Sequence, residues 1–412
     1  MRPLADAQRE VLGAMDPLST VAVDLDDALG LALAESVEAP HDLPPFDNSA
    51  MDGFAVRAVD TSGAPVELEV VDDVAAGHVS DRVVEAGTAI KIMTGAPMPL
   101  GADAVVIVEE TEPGADGGVV VRSSVVPGAA VRAAGGDLVA GATVLEAGER
   151  LDPARIGLLA SIGVARPSVR RRPVVSVLST GDEVLPPGTE ELRPGTIRDS
   201  NRPMLVGLLR DLGAEVVDLG IVADDARLLR STLEETAATS DAVLTSGGVS
   251  MGDHDLVKQV LAELGEIAFW RVAMQPAKPF AFGFLGSTPL FGLPGNPVSV
   301  TVAFEQFVRP ALLTRMGATR LFRPRVTGVL AEPVRTNPEK VVFLRTALHH
   351  DDGRLQVSLA GGQGSHMLSA LAAADGFAVV DVGRGDLDPG EKVDVELFRA
   401  TEHRTYEEVL RE

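Results

Sequence analysis

Residues 241–255 read DAVLTSGGVSMGDHD, a short run of apolar and β-branched residues that stops at Gly247-Gly248 and is followed by acids. A buried strand ending in a glycine turn, with a helix beginning at Asp255, is one unit of an alternating α/β pattern. The pattern recurs on both sides. Upstream come PVVSVLS (173–179), a helix Pro203–Leu212 with its leucines on one face, EVVDLGIV (215–222) and a helix Ala226–Ala238. Downstream, the helix Asp255–Leu264 is followed by AFWRVAM (268–274), FAFGFL (280–285), PLFGL (289–293) and a helix Pro297–Met316. Such alternation predicts a doubly wound α/β domain with helices on both faces of a mainly parallel sheet. Ligands of such sheets bind beyond the carboxyl ends of the strands. STGDEV (179–184), the SGG of 246–248, PAKP (276–279) and LPGNP (293–297) all follow predicted strands.

The flanks follow other periods. Leu4, Ala7, Val11, Leu12 and Met15 keep helical spacing until Pro17, and Asp24–Ser36 reads as a second short helix before Pro40, Pro44 and Pro45. Between about 46 and 140 the runs VELEVVDDV, AIKIM, DAVVIVEE and GGVVVRSSV, parted by Gly and Pro, predict a compact β-rich insertion. After Pro324, RVTGVLAEPV, VVFLRTALHH, RLQVSL, FAVVDV and KVDVELF predict a small all-β domain.

The chain of 412 residues carries 36 Lys and Arg against 60 Asp and Glu, a net charge of −24. Most of its exterior therefore repels nucleic acid and anionic membranes, and an anionic ligand has to be met by a locally positive pocket. There is no cysteine, which removes disulfides, thiolate metal sites and thiol nucleophiles. No apolar run reaches the length of about 18 residues that a membrane span needs, and MRPLADAQREVLGAM is an amphipathic helix rather than a signal peptide. A cytoplasmic protein is expected.

Each candidate residue has a plain structural alternative. The glycines of Ser246-Gly247-Gly248 and Ser250 let backbone N–H groups approach an anion, yet serve ordinary turns as often. Asp253 and Asp255 fit a magnesium ion beside phosphate, while Asp255 is equally a helix N-cap. Asp182 and Glu183 are adjacent acids, normally solvated surface, but they stand at a strand end. Pro294 and Gly295 form a tight turn, Asn296 is an N-cap and Pro297 a first helical residue; the free N–H groups of that helix start can also hold an oxyanion. Lys278, fixed between Pro276 and Pro279, is a pre-ordered positive charge in an acidic protein and favours an anion contact. Asp52 and Thr94 sit on glycine-flanked loops where turn chemistry is the default. The seven histidines show no zinc-ligand spacing.

Taken together, these motifs resemble the MoeA family of molybdopterin molybdenumtransferases, whose eukaryotic relatives include gephyrin. The resemblance runs along the whole chain. It is carried by ALGLALAESVEAPHDLPPFDNSAMDGFAV, KIMTGAPMPLGADAVVIVEE, GGDLVAGATVLEAGERL, LSTGDEV, IRDSN, SGGVSMGDHD, GEIAFW, PFAFG, LPGNPVSV and GQGSHMLSALAAADG. It implies an N-terminal helix (1–19) packed on a molybdopterin-binding α/β domain (170–318), an elongated linking domain (20–39 and 140–169), the β-rich insertion (40–139) and a C-terminal β-barrel-like domain (324–400). It also implies a homodimer, with a molybdopterin adenylyltransferase and molybdoenzyme targets as partners.

The activity the resemblance implies is insertion of molybdenum from molybdate into adenylylated molybdopterin, with Mg2+-dependent hydrolysis that releases AMP. Its catalytic positions fall on Asp52, Thr94, Asp137, Glu183, Asp224 and Asp255, with Asp255, Glu183 and Asp253 as metal ligands. Its molybdate pocket falls on Lys278, Pro279, Ser299, Ser365 and Arg345. Alternatives are an adenylyltransferase or nucleotide hydrolase of the same α/β superfamily, or a dimeric scaffold. One departure is visible. Where the family has KPGKP, residues 275–279 read QPAKP, so a lysine and a glycine are replaced by Gln275 and Ala277; Arg271 is a candidate to compensate.

Overall fold

The computed structural model describes residues 1–248, 256–351 and 353–399. Its centre is a six-stranded sheet built from β1 (Val174–Thr180), β2 (Glu215–Val222), β3 (Ala242–Ser246), β4 (Glu266–Arg271), β6 (Pro279–Leu285) and β7 (Thr288–Leu293) in the order β2-β1-β3-β7-β6-β4. The first four strands are parallel, and β6 and β4 complete the sheet antiparallel. Both faces are covered. Leu229 and Leu233 of α3 (Ala226–Ala237), with Val260 and Leu261 of α4 (Leu256–Leu264), close one face over Leu178, Val243 and Leu290. Leu205 and Leu209 of α2 (Asn201–Leu212) close the other with the long C-terminal helix. Burial on two faces explains why β1 and β3 read as continuous apolar runs.

The helix expected over Pro297–Met316 is interrupted. Residues Pro297–Ala303 (α5) and Arg309–Arg315 (α6) are α-helical, but Phe304–Val308 between them is a π turn. The N-terminal helix α1 (Leu4–Gly13) buries Ala7 and Val11, and Gln8 donates to the Gln306 side chain at 3.1 Å in that π turn. The helix expected over Asp24–Ser36 does not form. Only Leu25–Asp27 makes a 3₁₀ turn; Gly30 then takes φ +78, and Ala32 and Leu33 bridge to Arg150 and Val169. The consecutive residues Leu31, Ala32 and Leu33 are all buried, an arrangement that extended chain between two neighbours provides and one helical stripe does not.

The expected strand AFWRVAM also divides. Arg271 ends β4, and Met274–Gln275 (β5) leaves the central sheet to pair in parallel with Val341–Val342. Those residues belong to a closed barrel of β8 (Arg325–Leu330), β9 (Val341–Asp351), β10 (Arg354–Leu359), β11 (Gly376–Val380) and β12 (Lys392–Leu397). The order β9-β10-β8-β12-β11 returns to β9 through pairings from Val342↔Val380 to Thr346↔Gly376. The β-rich insertion is a second six-stranded sheet whose longest strand is Val66–Val74. Its two chain crossings meet where Leu43 and Leu138 exchange backbone hydrogen bonds of 2.8 and 3.1 Å. Between insertion and sheet, Thr20–Ala22 pairs with Ser168–Arg170 and Val37–Glu38 with Thr143–Leu145. No helix among the described residues is long and apolar enough to cross a membrane.

Candidate functional site

The carboxyl ends of β1, β3 and β7 lie side by side, since Ser179 is in register with Ser246 and Ser246 with Leu293. Their three loops therefore open onto one edge. Gly247, at φ +94, donates its N–H to the Leu293 carbonyl at 3.1 Å, and a Cβ there would stand 3.1 Å from the Thr180 carbonyl. Gly181 takes φ +125, and a Cβ on it would meet the folded-back Glu183 carboxylate at 2.5 Å. The positive φ favours glycine at both points, and at Gly247 the nearby Thr180 carbonyl adds to it. The Asp224 N–H, beyond the end of β2, reaches Asp182 Oδ1 at 3.3 Å, so Asp182, Glu183 and Asp224 gather at this edge. Asn201 of the IRDSN run holds the third loop, its amide donating to the Gly295 carbonyl at 2.7 Å. Ser250, Asp253 and Asp255 lie outside the described residues.

A cleft of about 530 Å³ adjoins this edge, between the α/β domain and the barrel. Its walls include Gln275, Ala277, Lys278 and Pro279, then Pro294, Asn296 and Ser299 from the start of α5, and Gln363 to Ser365 from the loop after β10. The Val298 N–H donates to the Ser365 carbonyl at 3.1 Å, which fixes barrel loop against helix start. Asn296 occupies the N-cap position with Pro297 first in the helix, but the Asn296 side chain makes no cap hydrogen bond. The sequence-based readings at Lys278, Pro279, Pro294, Asn296, Ser299 and Ser365 thus fall on one cavity. It is also lined by cations: Lys278, Arg335 and Lys340 are among its walls, and no Asp or Glu is among the described residues that line it. Arg271 is exposed and is not among its lining residues.

Arg345, expected in the molybdate pocket, is not among the residues that line the cleft, although Phe343 and Leu344 just before it are. It is fully buried, donates from its guanidinium to the Gly362 carbonyl at 2.6 Å, and receives no carboxylate within ion-pair distance among the described residues. Its Nε has no partner, and burial lowers its pKa from the ordinary arginine value. The backbone of Arg345 is clasped by Gln363, which accepts from its N–H at 3.0 Å and donates to its carbonyl at 3.1 Å.

Asp52 and Thr94 are brought together in the insertion. The Thr94 N–H and hydroxyl donate to Asp52 Oδ1 at 2.7 and 2.8 Å, and these two bonds, the backbone one first, hold the Asp52 carboxyl below its usual range. Both residues are exposed, and neither lines the cleft. Asp137 is exposed where the insertion rejoins the chain, its N–H donating to the Leu43 carbonyl at 2.9 Å. Arg335 and Lys340 were not singled out by sequence; no motif marks them, and only the pairing of β5 with β9 carries their turn to the cleft.

Comparison with known proteins covers the chain from end to end. A family profile described as the MoeA N-terminal region (domain I and II) matches residues 2–163, a probable molybdopterin binding domain matches 176–314, and the MoeA C-terminal region (domain IV) matches 327–398. Molybdopterin molybdenumtransferase 2 of Mycobacterium tuberculosis (strain ATCC 25618 / H37Rv) is 42% identical over 400 residues, covering 93% of this chain and 98% of that protein. The molybdopterin molybdenumtransferase of Haemophilus influenzae is 36% identical over 384 residues, covering 93% and 95%. The crystal structure of the molybdopterin biosynthesis moeA protein from Pyrococcus horikoshii OT3 superposes with a TM-score of 0.83 at 30% identity, covering 97% of this chain and all of that one. Matched over such spans in sequence and in fold, the chain belongs to the MoeA family of molybdopterin molybdenumtransferases, enzymes of molybdenum cofactor biosynthesis.

Proposed function

We propose that this enzyme inserts molybdenum from molybdate into adenylylated molybdopterin and hydrolyses the adenylate to AMP. The observation that carries the reading is the charge of the cleft: in a chain of net charge −24, its lining among the described residues holds no acid and three cations, of which Arg335 pairs with Asp386 and Asp388 while Lys278 and Lys340 have no carboxylate partner. A tetrahedral dianion needs fixed donors within a locally positive field. Lys278 supplies charge, Ser299 and Ser365 supply hydroxyls, and the buried guanidinium of Arg345 adds a positive charge that no carboxylate among the described residues pairs with. The sheet edge beside the cleft suits the pterin phosphate: the Gly247 N–H is held by the Leu293 carbonyl, and the turn it fixes lets the phosphate approach the Gly248 backbone.

The family resemblance adds magnesium. Among the described residues no group of three or more His, Cys, Asp or Glu is placed to hold a metal ion, so no step is derived through it. Asp182, Glu183 and Asp224 are the described acids at this edge. The insertion pair Asp52 and Thr94, away from the cleft of its own chain, fits a site completed across a homodimer.

A stand-alone adenylyltransferase or nucleotide hydrolase would need only the α/β domain, whereas the similarity spans insertion and barrel as well. A scaffold has no need of an acid-free cleft. The test is incubation with adenylylated molybdopterin, magnesium and molybdate, with AMP and metallated cofactor both measured. Stoichiometric AMP and molybdenum in the pterin support the reading; AMP without metallated product contradicts it.

A further inference from the structure

We propose that Lys340 is the second ammonium of the oxyanion cleft, supplying the charge that Gln275 does not. This rests on the oxyanion reading above. The pairing of β5 with β9 sets Gln275 opposite Val342, and the Val341 N–H donates to the Ala273 carbonyl at 3.0 Å. Lys340 therefore enters the cleft two residues before the partner of Gln275. Strand geometry puts their Cα atoms about 8 Å apart, within reach of a lysine stem. Both side chains line the cleft.

The position is fixed rather than incidental. The Lys340 N–H donates to the Asn337 carbonyl at 3.2 Å, Asn337 Oδ1 accepts from the Glu339 N–H at 2.8 Å, and Pro338 accepts from the Gly383 N–H at 2.8 Å. This turn is thereby tied to the barrel. Lys340 is half-buried, and among the described residues its ammonium has neither a hydrogen-bond nor an ion-pair partner. The other cation of this segment, Arg335, is largely exposed and stands 3.7 Å from Asp386 and 3.6 Å from Asp388. An unpaired, half-buried cation that lines the same cavity as Lys278, with no acid among its described lining residues, is suited to a doubly charged oxyanion that both ammonium groups share.

The experiment is equilibrium dialysis with molybdate as probe, on wild type, Lys278→Met, Lys340→Met, Lys340→Gln, Lys340→Arg and Lys340→Met with Gln275→Lys, each checked for folding by thermal melting. Removing the Lys340 charge weakens molybdate binding about tenfold or more, in the Met and Gln variants alike. Lys340→Arg retains most of the affinity, and Gln275→Lys recovers it in the Lys340→Met background, which a packing defect would not allow. Unchanged affinity in Lys340→Met and Lys340→Gln, while Lys278→Met weakens it, overturns the inference and leaves the function standing. Loss that neither Lys340→Arg nor Gln275→Lys repairs also overturns it. No molybdate binding by wild type overturns the function reading itself.

Discussion

The guanidinium of Arg345 donates to the carbonyl of Gly362 at 2.6 Å, and this bond joins a fully buried cation to the loop that carries Ser365 into the cleft. A buried charge without a counter-ion opposes folding. Its retention is explained if an anion bound in the adjacent cleft completes it. Arg345→Met is then expected to alter the melting temperature little, because relief of the buried charge offsets the lost loop contact, while molybdate affinity falls at least about tenfold. Melting curves with and without molybdate separate the two effects. A large loss of stability with unchanged molybdate affinity would make Arg345 structural only.

Ala277 adopts φ +68 where only glycine is at ease. It is also buried, at 3% exposure, inside the main core. The left-handed conformation costs a residue with a Cβ roughly 1 kcal/mol. Ala277→Gly should therefore raise stability by up to about that amount, less the extra entropy of a glycine in the unfolded chain. Urea midpoints measure it; destabilisation by 1 kcal/mol or more would show that the Ala277 methyl contributes more by packing than it costs in strain.

Asp241 caps the central sheet at its base. Burial raises its pKa, but two hydrogen bonds of 2.6 Å from Arg171 and one of 2.8 Å from the Val174 N–H outweigh that and hold it below the usual value. A depressed carboxylate contributes stability that is fully present above its unfolded pKa of about 3.9 and is lost as pH falls through the folded value. Asp241→Asn is predicted to cost roughly 2 kcal/mol at neutral pH, with the gap to wild type closing on acidification below about pH 4. Unfolding midpoints across that range decide; a gap constant with pH removes the ionic explanation.

Much of this architecture is readable from residue pattern alone. Glu215–Val222 and Val66–Val74 form strands with the bounds their runs suggest, because β-branched runs between Gly and Pro have few other solutions. Asp24–Ser36 misleads because its alanines and leucines favour helix locally, while long-range bridges to Arg150 and Val169 decide otherwise. The cleft was legible at Lys278, held between two prolines after a predicted strand, whereas Ser299, in the first turn of α5, was reached only through the family resemblance. Lys340 was not legible: its role depends on a parallel pairing between segments more than sixty residues apart, which no local pattern encodes. The bond between Thr94 and Asp52 spans 42 residues and was reachable only through the family resemblance.

The exposed Asp52 and Thr94 pair predicts complementation. Asp52→Ala and Lys278→Ala subunits, each impaired at limiting molybdate, should regain part of their activity when combined in a heterodimer, since one intact site would draw its acid from one subunit and its cation from the other. Activity of verified heterodimers no greater than that of either parent would remove the shared-site proposal.

Asp255→Asn should abolish AMP release while leaving the melting temperature near that of wild type, because the amide can still cap a helix but carries no charge for a metal. Near wild-type turnover across a magnesium titration would exclude Asp255 from metal binding.

Titration of molybdate against metallated cofactor, for wild type, Lys278→Ala and Gln275→Lys, tests the central assignment most directly. To hold the oxyanion, the cleft has to reverse locally the field of a chain of net charge −24. Lys278→Ala should raise the molybdate concentration for half-saturation about tenfold or more, and Gln275→Lys should lower it, with affinity for adenylylated molybdopterin unchanged in both. Half-saturation in Lys278→Ala equal to that of wild type would contradict the assignment of this cleft to the oxyanion.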